Sequence, residues 1–510
     1  MLPAINCWKD ISRKVYAGIL SEYKNKTWNF EVEAIKYCQL DCQVLHEILV
    51  EFNKLIFNNF NINIHKSLTL PSLAMRIYKS QFMPKDTIYQ ISSINVERDI
   101  RNSYTGGAVD VYIPHNRLTS FLSKVKAFFK TLYVYDVNSL YPFVMANTVM
   151  PVGRPIAFDG DIRKIDPQAY GFFYCKITSP EYLKHPLLQR RVKTENGVRT
   201  IAGLGTWFGM IYSAEMDNAI KFGYTFQIIS GYQFDKGFIF KEYVNRMYNL
   251  RLEYDKGTAM NLIAKLLMNS LYGKFGMKLE NTVIEMFDTS NKVERELLQE
   301  MIDTLGMTIQ DFVKLGDKIL TLRTTVNNCV KYNENLEDTY HGQDVNIAIA
   351  SAVTAGGRMW MSLIKNNPKV NLYYSDTDSG VVDSPLNEDL VGPALGQFKL
   401  EYIVNKAVFL APKVYGLVTD QGQEVIKVKG VGSEVLKNVH FKDLESLLIE
   451  DSSRVFTQEK WIKNYQEGKI TFKDIAYTLK ITSNKRSPVY VEGVYTNTKP
   501  LHYEDNDENK

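Results

Sequence analysis

Tyr374-Ser-Asp-Thr-Asp-Ser379 places two carboxylates one residue apart between two apolar runs, 372–374 and 381–382. This pattern predicts a β-hairpin with the acids at its tip. Because residues i and i+2 of an extended strand share a face, Asp376 and Asp378 can point the same way. Two such charges repel unless a cation lies between them, and Mg²⁺ prefers carboxylate oxygens while keeping room for phosphates. The alternative is an ordinary polar turn, since Asp, Ser and Thr are common turn residues.

A third candidate carboxylate follows another apolar strand. Leu132-Tyr-Val-Tyr135 leads directly into Asp136, and Val-Asn-Ser-Leu-Tyr-Pro142 comes next. A carboxylate at the end of a buried strand is costly unless it binds something. Asn138 and Ser139 are expected to cap the following turn, and Pro142 limits any helix to starting about there.

Residues 240–276 read as helical, with Thr258 as a helix N-cap and Gly273 as the stop. A preceding helix, ending near Gly257, carries Arg251. The expected buried stripe consists of Leu262, Ile263, Leu266 and Leu267.

Lys265, Asn269 and Tyr272 fall on the opposite face of that helix, at i, i+4 and i+7. A cation, an amide and an aromatic ring on one face could meet a phosphate, a polar edge and a base plane. The alternative is a solvated helix face.

Basic side chains alternate along residues 397–431, which read as strands. Lys413-Val-Tyr415 and Lys427-Val-Lys429 place such groups on common strand faces. Phosphate positioning is one interpretation, and a lysine-rich sheet edge is the other. Tyr104-Thr-Gly-Gly107 would let the backbone approach a partner closely, or is a simple turn. Residues 154–235 read as short strands and turns, with a basic cluster at Arg190, Arg191 and Lys193.

The bulk composition is that of an ordinary globular protein: 510 residues, 45% hydrophobic and 23% charged. A net charge of +4 neither implies nor excludes a nucleic-acid partner, because a groove can be basic while the whole chain is nearly neutral. The five cysteines are scattered and complete no zinc site, which favours reduced thiols in an intracellular compartment. No apolar run approaches membrane-spanning length, and the first twenty residues are not a secretory signal.

The remaining segments are mostly expected to be helical. Phe30 to Asn53 carries apolar residues at close to a 3.6 period, with Tyr37 and Asp41 one turn apart. Such a pair could hold a metal and orient a water, although this pattern more often occurs at the edge of a helix without any function. Helices are also expected over 277–342 and 345–364, whereas residues 432–510 should be helical, then extended, with an acidic, disordered tail from Glu504.

Taken together, these motifs resemble family B DNA polymerases. Asp136 to Pro142 is similar to the first catalytic motif of that family, Lys265 to Gly273 to its fingers helix, and Tyr374 to Ser379 to its second palm motif. Three long motifs in the right order make a far stronger signal than any one of them. The Tyr104 to Gly107 and Lys413 to Tyr415 motifs resemble the protein-primed branch, found in certain phages, adenoviruses and linear mitochondrial plasmids.

The resemblance implies a role for each matching residue. Asp136 and Asp378 would be the principal metal ligands, Asp376 would support them, and two Mg²⁺ ions would activate the primer 3′-hydroxyl and stabilise the leaving pyrophosphate. Residues that would bind the incoming nucleotide are Ser139, Leu140, Tyr141, Arg251, Lys265, Asn269 and Tyr272. Residues that would contact DNA are Tyr104, Gly106, Gly107, Lys413, Tyr415, Lys427 and Lys429.

Several of these roles are specific. Lys265 and Arg251 would hold the triphosphate, and Tyr141 would pack under the sugar and exclude a 2′-hydroxyl. Lys413 and Tyr415 would hold the primer end, whereas Tyr104, Gly106 and Gly107 would hold the template.

The implied fold is a multidomain α/β (α+β) right hand with palm, fingers and thumb, preceded by a partial RNase H-like exonuclease domain. The expected division is an exonuclease-like region at 1–100, linker and first palm segment at 101–153, an insert similar to a terminal-protein region at 154–235, fingers at 236–276, a second insert at 277–342, palm at 343–431, and thumb and tail at 432–510.

The resemblance departs from the family pattern at the N-terminus. Tyr37-Cys-Gln-Leu-Asp41 is similar to the third exonuclease motif, but the first needs Asp-x-Glu upstream, and Glu31-Val-Glu33 is a poor substitute. The chain is therefore expected to be truncated or decayed there, with little 3′→5′ exonuclease activity and only residual function at Tyr37 and Asp41.

Three functions compete. The first is a protein-primed, DNA-templated DNA polymerase that uses dNTPs, Mg²⁺ and a terminal protein, located in mitochondria by the plasmid resemblance or otherwise in the cytoplasm. The second is a family B polymerase that extends ordinary primers. The third is a non-catalytic remnant that still binds primer-template DNA.

Overall fold

A computed structural model of the chain describes most of the sequence. The residues described are 2–5, 11–91, 93–119, 126–194, 197–278, 280–304, 308–315, 318–326, 345–464 and 469–503. The acidic tail from residue 504, which is expected to be disordered, lies outside these ranges, as do Cys7 and Cys329.

The described residues contain both helices and strands, and four α-helices precede the first strand. The α-helices of the described residues are α1 (Arg13–Glu22), α2 (Phe30–Phe60), α3 (Leu70–Gln81), α4 (Ile94–Ser103), α5 (Leu140–Asn147), α6 (Ser213–Ile220), α7 (Lys241–Leu252), α8 (Ala259–Phe275), α9 (Lys292–Thr304), α10 (Ile347–Lys365), α11 (Ser433–Leu436) and α12 (Phe441–Glu445).

The strands, in the same ranges, are β1 (Val109–Val111), β2 (Leu132–Val137), β3 (Met150–Asp159), β4 (Gly171–Thr178), β5 (Gln189–Thr194), β6 (Gly197–Ala202), β7 (Leu204–Tyr212), β8 (Thr225–Gly237), β9 (Glu280–Asp288), β10 (Thr308–Leu315), β11 (Lys318–Val326), β12 (Leu372–Asp376), β13 (Ser379–Val382), β14 (Phe398–Ala411), β15 (Val414–Thr419), β16 (Glu424–Val428), β17 (Arg454–Asn464), β18 (Lys469–Leu479), β19 (Arg486–Val491), β20 (Val494–Pro500) and β21 (His502–Tyr503).

The chain divides into two compact units, Met1–Ile77 and Tyr78–Lys510. In the first unit, α2 begins where the Asn29 side chain accepts hydrogen bonds from the Glu31 and Val32 N–H groups, and it ends at Asn61 in the left-handed conformation. The predicted helix over Phe30–Asn53 is confirmed. Its apolar stripe is exposed, with Ile35, Leu40 and Ile48 each more than half accessible to solvent.

The centre of the second unit is a seven-stranded sheet in the order β1-β12-β13-β2-β14-β15-β16. Every pair of neighbouring strands in this sheet is antiparallel. The predicted hairpin is confirmed as β12 and β13, which pair through Asp376 and Ser379. Its apolar flanks are buried because Tyr374 and Val381 pack in one core with Leu132 and Phe409.

Helix α10 lies against this sheet and against α5. A Cβ atom on Gly380 would lie 2.5 Å from Cδ1 of Ile364, and one on Gly356 would lie 2.4 Å from Cγ1 of Val144. Small residues therefore let both surfaces approach closely, and the predicted helix over 345–364 is confirmed. The expectation that no segment has membrane-spanning length is wrong, because α10 is long and apolar enough; it is nevertheless mostly buried inside the protein.

Residues 154–235 form more regular structure than their turn-rich sequence predicts. Strands β21, β7, β4, β8 and β3 make a five-stranded sheet, and β8 alone runs for 13 residues. The buried core of this subdomain includes Phe173, Cys175, Trp207 and Met216, so α6 covers one face of the sheet. Strands β5 and β6 form a separate hairpin.

The helices at 240–276 correct two details of the prediction, the end of α8 and its buried stripe. The Thr258 side chain does cap α8, accepting from the Asn261 N–H group, but the helix continues past Gly273 to Phe275, with Gly276 at its end. Leu262 and Leu266 are exposed, at 55% and 39%. The buried side chains are Met260, Ala264, Leu267, Met268, Leu271 and Phe275.

The prediction of a helical segment over 277–342 is wrong for most of its described part. Only Lys292–Thr304 is helical, whereas β10, β11 and β9 form a three-stranded sheet. Residues 327–342 of that prediction lie outside the described ranges. The cause is visible in Lys318–Val326, where Ile, Val and three Thr residues favour a strand over a helix. Beyond residue 432, short helices precede the hairpins β17–β18 and β19–β20, as predicted.

Candidate active site

Two carboxylates meet where β2 ends beside the hairpin turn. Strand β2 pairs with β13 so that Asp136 lies opposite Ser379. The Val137 N–H group donates a 2.8 Å hydrogen bond to the carbonyl of Asp378. Antiparallel pairing therefore brings together two acids that are distant in sequence, Asp136 and Asp378.

Burial and nearby carboxylates raise the pKa of both acids. Burial, together with the nearby charges of Asp378 and Glu401, raises the pKa of Asp136 to about 7, while Lys399 and Lys265 oppose this shift. The pKa of Asp378 is raised, chiefly by burial. Two half-buried carboxylates that repel each other are a natural binding place for a cation.

Asp376 has different surroundings. Its carboxylate oxygens accept hydrogen bonds of 2.8 and 2.6 Å from Nζ of Lys413. Thr377 has φ +57°, so the chain turns between the two acids of the motif. The expectation that Asp376 and Asp378 share one face of an extended strand is wrong for this reason: the i, i+2 rule does not apply inside a turn.

The donor set suits a hard divalent cation only in part. The described residues contain no group of three or more His, Cys, Asp or Glu side chains placed to hold a metal. Asp136 and Asp378 supply carboxylate oxygens, and Mg²⁺ commonly takes one or two carboxylates and completes its shell with water and substrate phosphates. The pair thus fits an ion that arrives with a phosphate ligand.

Helix α8 presents its predicted polar face near these acids. Lys265 is exposed, and its charge lowers the pKa of both Asp136 and Asp378. Asn269 donates a 2.7 Å hydrogen bond from Nδ2 to the carbonyl of Lys265, within its own helix. The rings of Tyr272 and Tyr141 lie 4.5 Å apart between centroids, which joins α8 to α5.

Arg251 lies in the last turn of α7, which ends at Leu252 instead of near Gly257 as expected. Its carbonyl accepts a 2.8 Å hydrogen bond from Nδ2 of Asn261. This bond fixes the junction of α7 and α8.

The observed hydrogen bonds of Asn138 and Ser139 differ from the predicted cap. Ser139 occupies the N-cap position of α5 with φ +52°, but its side chain makes no capping hydrogen bond. Asn138 instead donates from Nδ2 to the carbonyl of Gly392 at 2.8 Å, and from its N–H group to the carbonyl of Gln397 at 2.9 Å. Leu140 begins the helix and is buried. The first N–H groups of a helix lack intrahelical acceptors, so this end of α5 can accept an anionic group.

The Tyr104–Gly107 segment lies directly beside the hairpin turn. The Thr377 N–H group donates a 2.9 Å hydrogen bond to the carbonyl of Ala108. A Cβ atom on Gly107 would lie 2.6 Å from Cγ2 of Thr377. The glycine is therefore required by the close approach of the linker to the turn, in addition to any contact with DNA.

Arg358 was missed by the sequence reasoning. It forms a buried, two-pronged ion pair with Glu215, 2.7 Å at each contact. It also donates to the carbonyls of Thr105 and Gly106. Glu215 lies on α6 and Arg358 on α10, so no local spacing could have joined them; the one signal was an arginine within an otherwise small and apolar helix.

Lys399 and Glu401 were also missed. Lys399 lies opposite Asp136 across β14 and β2, and its Nζ is 2.6 Å from Oε1 of Glu401. Their alternation with apolar residues along β14 was the available signal.

The predicted DNA-contacting residues of the sheet edge lie together. Tyr415 is opposite Lys427 in the β15–β16 pairing, and the Lys429 N–H group donates to the carbonyl of Lys413. Lys427 and Lys429 are exposed. The Tyr415 ring packs against Tyr374, with centroids 5.2 Å apart.

Tyr37 and Asp41 belong to the first unit. Both lie in α2 and are exposed, as are Cys38 and Cys42 beside them. Among the described residues, no group of three or more His, Cys, Asp or Glu side chains around them is placed to hold a metal.

Comparisons with known proteins place these features in a family. The model for "DNA polymerase type B, organellar and viral" matches residues 2–368. A probable DNA polymerase of Ascobolus immersus is 34% identical over 489 residues, covering 94% of this chain and 38% of that protein. One of Neurospora intermedia is 33% identical, covering 91% of this chain and 46% of that protein. The chain thus spans less than half the length of these two relatives.

Solved structures show the same fold. The phi29 DNA polymerase complexed with primer-template DNA has a TM-score of 0.57 and 19% identity, covering 84% of this chain and 70% of that one. At this identity the likeness concerns the fold alone. The predicted α/β right-hand architecture is confirmed.

Proposed function

The chain belongs to the organellar and viral type B DNA polymerases, and on that premise we propose that it adds deoxynucleotides to a 3′-hydroxyl under the direction of a DNA template. One observation carries the proposal: β2 and β13 hold Asp136 and Asp378 side by side, half-buried and with raised pKa values. Such a pair is costly to maintain in a folded protein unless a cation and its phosphate ligands stabilise it.

Asp136 and Asp378 are the residues that would hold the divalent cations. Bound Mg²⁺ would supply charge neutralisation at the primer hydroxyl and at the leaving pyrophosphate. Lys265 stands close enough to both acids to pair with the triphosphate of the incoming nucleotide, and its fixed positive charge favours the phosphates as charge develops on them.

The other roles follow from side-chain shape. The Tyr141 ring, held against Tyr272, forms the wall that a 2′-hydroxyl would meet, and Tyr272 and Asn269 face the new base pair. Lys413, Tyr415, Lys427 and Lys429 line a basic edge suited to the primer strand. Arg251 adds a second cation for the triphosphate.

The proposed partners are a DNA primer-template, dNTPs and a terminal protein whose hydroxyl primes synthesis in mitochondria. The resemblance of the 104–107 and 413–415 motifs to the protein-primed branch supports this mode of priming. The phi29 DNA polymerase, whose fold this chain shares, has been solved in complex with primer-template DNA and incoming nucleotide substrates, which supports the nucleic-acid part of the proposal.

The test is primer extension by the purified chain with Mg²⁺ and dNTPs on a recessed primer-template. We expect template-dependent extension that requires the divalent ion and is lost on chelation. A second reaction supplies purified terminal protein and no oligonucleotide primer, and covalent labelling of that protein supports protein priming. Binding of primer-template without any extension would leave only the non-catalytic remnant.

A further inference from the structure

The five-stranded insert sheet has one buried face and one open face. Along β4, Phe173, Cys175 and Ile177 are buried, whereas Tyr174 and Lys176 are exposed. Phe208, the register partner of Lys176 on β7, is also on the open side and 45% exposed. The alternation along these strands therefore exposes aromatic rings beside a cationic group on the open face, where polar side chains alone would be usual.

This open face forms one wall of a groove of about 1220 Å³. Asn102 of α4 and the strand β5 line the other sides, together with Tyr174 and Phe208. We call this the insert groove. It is far larger than a water site and is open enough to accept an extended polymer.

The two exposed rings form a platform. Tyr174 and Phe208 are stacked, with centroids 6.4 Å apart and planes inclined by 26°. Tyr174 is 37% exposed. Near-parallel exposed rings are the feature on which proteins stack unpaired bases, with little regard to base identity.

Cations accompany the platform. Gln189, Arg191 and Lys193 alternate on β5 and so share a strand face. Arg191 and Lys193 are exposed. Lys176, the register partner of Phe208, lies on the same open face of the sheet but outside the groove lining.

The carboxylates that line the insert groove are mostly engaged already. Asp99 accepts a 2.6 Å hydrogen bond from the Tyr232 hydroxyl, and Glu215 is paired with Arg358. Asp159 is the remaining acidic side chain of the lining. The positive charges therefore dominate the field that a polyanion would meet.

The insert groove leads to the catalytic turn. Gln189 donates from Nε2 to the carbonyl of Gly106 at 2.9 Å, and Arg191 donates to the carbonyl of Tyr104 at 2.8 Å. The next residue of that linker, Gly107, packs on Thr377. A strand lying in the groove would thus pass from the platform to the linker that borders the acids.

We propose that the insert groove binds a single-stranded segment of DNA, the unpaired template on its way to the active site. The identification of this segment as the template rests on the polymerase function proposed above, whereas the binding of single-stranded DNA does not depend on that function. An unpaired strand fits because duplex DNA keeps its base faces stacked internally and cannot offer them to Tyr174 and Phe208. The cations bind its phosphates.

The test measures fluorescence anisotropy of a labelled oligothymidine of about 20 nucleotides, long enough for a single-strand site. Tyr174→Ala and Phe208→Ala should each weaken binding by roughly 5- to 100-fold, the usual effect of losing one stacking ring. Tyr174→Phe should retain most of the affinity, which separates loss of stacking from misfolding. Tyr182→Ala, an exposed tyrosine of the same subdomain outside the groove lining, is the matched control.

The charge contribution is read from salt dependence. Lys193→Gln should reduce the slope of log K against log salt by about 0.7, the contribution of one phosphate contact on a single strand. Lys221→Gln, on an exposed residue away from the groove lining, should leave the slope unchanged.

The outcomes separate the two proposals. If the chain fails to extend primers but Tyr174→Ala and Phe208→Ala weaken oligothymidine binding, the groove proposal stands and the polymerase proposal fails. Parent-like binding by both alanine variants overturns the groove proposal even in an active enzyme. Equal weakening toward a blunt duplex, or loss of terminal-protein binding with oligothymidine binding intact, also overturns it, because the occupant would then be duplex DNA or a protein.

Discussion

Lys413 is held by Asp376: its Nζ lies 2.6 and 2.8 Å from the two carboxylate oxygens, and its backbone has φ +63°. The Lys413 N–H group also donates to the hydroxyl of Tyr374, at 2.9 Å. Nearly half of the lysine side chain is exposed, so the ion pair contributes at most about 1 kcal/mol to stability. Its effect is to fix the direction of a cation beside the catalytic turn.

Lys413→Ala should weaken primer-template binding and make it less sensitive to salt. A lysine on a duplex phosphate releases about one counterion, so the slope of log K against log salt should shrink by about 0.9. Binding titrations at several salt concentrations measure the slope, with Lys369→Ala as an exposed control. Equal slopes for Lys413→Ala and the parent would assign Lys413 to a solvated sheet edge.

Asp376→Asn should act on the primer through Lys413. Removing one carboxylate charge releases the lysine, so the affinity for primer-template should change while incorporation at saturating DNA persists. Steady-state kinetics with varied primer-template distinguish the two effects. A complete loss of incorporation at saturating DNA would instead make Asp376 a third required acid beside Asp136 and Asp378.

Asp378→Asn should abolish nucleotide addition and leave DNA binding near the parent value. The change removes one of the two charges that would hold the metal, and the rate should fall by at least about 100-fold. Single-turnover extension and a binding titration together provide the measurement. Extension at a rate near the parent's would remove Asp378 from the proposed metal site.

Tyr141→Ala should allow ribonucleotides to be used. The ring is confined between Tyr272 and Gly357, where an added Cβ would lie 3.0 Å from Cε1 of Tyr141. Its removal opens space for a 2′-hydroxyl, and the ratio of kcat/KM for a dNTP to that for its rNTP should fall roughly 10- to 200-fold. Tyr141→Phe should keep the ratio, whereas an unchanged ratio in Tyr141→Ala would show that another group rejects the sugar.

Gly107→Ala should slow nucleotide addition by displacing the turn. The new methyl group would lie 2.6 Å from Cγ2 and 2.8 Å from Cα of Thr377, and the backbone atom cannot move without shifting Asp376 and Asp378. Gly106→Ala is the matched control, since nothing lies within 4 Å of its added Cβ. Equal kcat values for the two variants would contradict the packing argument.

His185 should make the fold sensitive to acid. Burial lowers its pKa from 6.5 to about 3, and the nearby Arg486 and Lys365 add to this. Since the unfolded chain takes up the proton first, stability is unaffected above pH 6.5 and is lost as the pH falls toward 3, by about 2 kcal/mol at pH 5. His185→Phe should lose less stability between pH 7 and 5 in denaturant titrations; parallel pH profiles would contradict the assignment.

The sequence predicted features that depend on near neighbours. The hairpin at 372–382 and the Thr258 cap follow from alternation and from one capping side chain, so both could be read locally. The predicted buried stripe of α8 was wrong because Leu262 and Leu266 are as apolar as Leu267, and only tertiary packing decides which of these side chains is buried. Residues 318–326 form a strand and not the predicted helix, because their β-branched residues favour extended backbone.

The site was predictable where a motif carried it and not where distant segments meet. Lys413 was identified by its own motif, but its pairing with Asp376 needs the β14–β15 turn to fold back on the hairpin. The Arg358–Glu215 pair joins two helices far apart in the chain. Neither contact leaves a periodic trace in the sequence.

The seven-stranded sheet also has a consequence for how the protein is made. Strand β1 pairs with β12, and β2 pairs with β13 and β14, so each early strand waits for a partner synthesised much later. Closing such long loops costs entropy before any contact compensates, which makes these pairings slow. During synthesis, Asp136 therefore lacks its partner Asp378 until the hairpin near residue 378 has emerged from the ribosome. The newborn chain carries unpaired apolar strands until residues 372–411 have been synthesised, and the active centre is assembled only then.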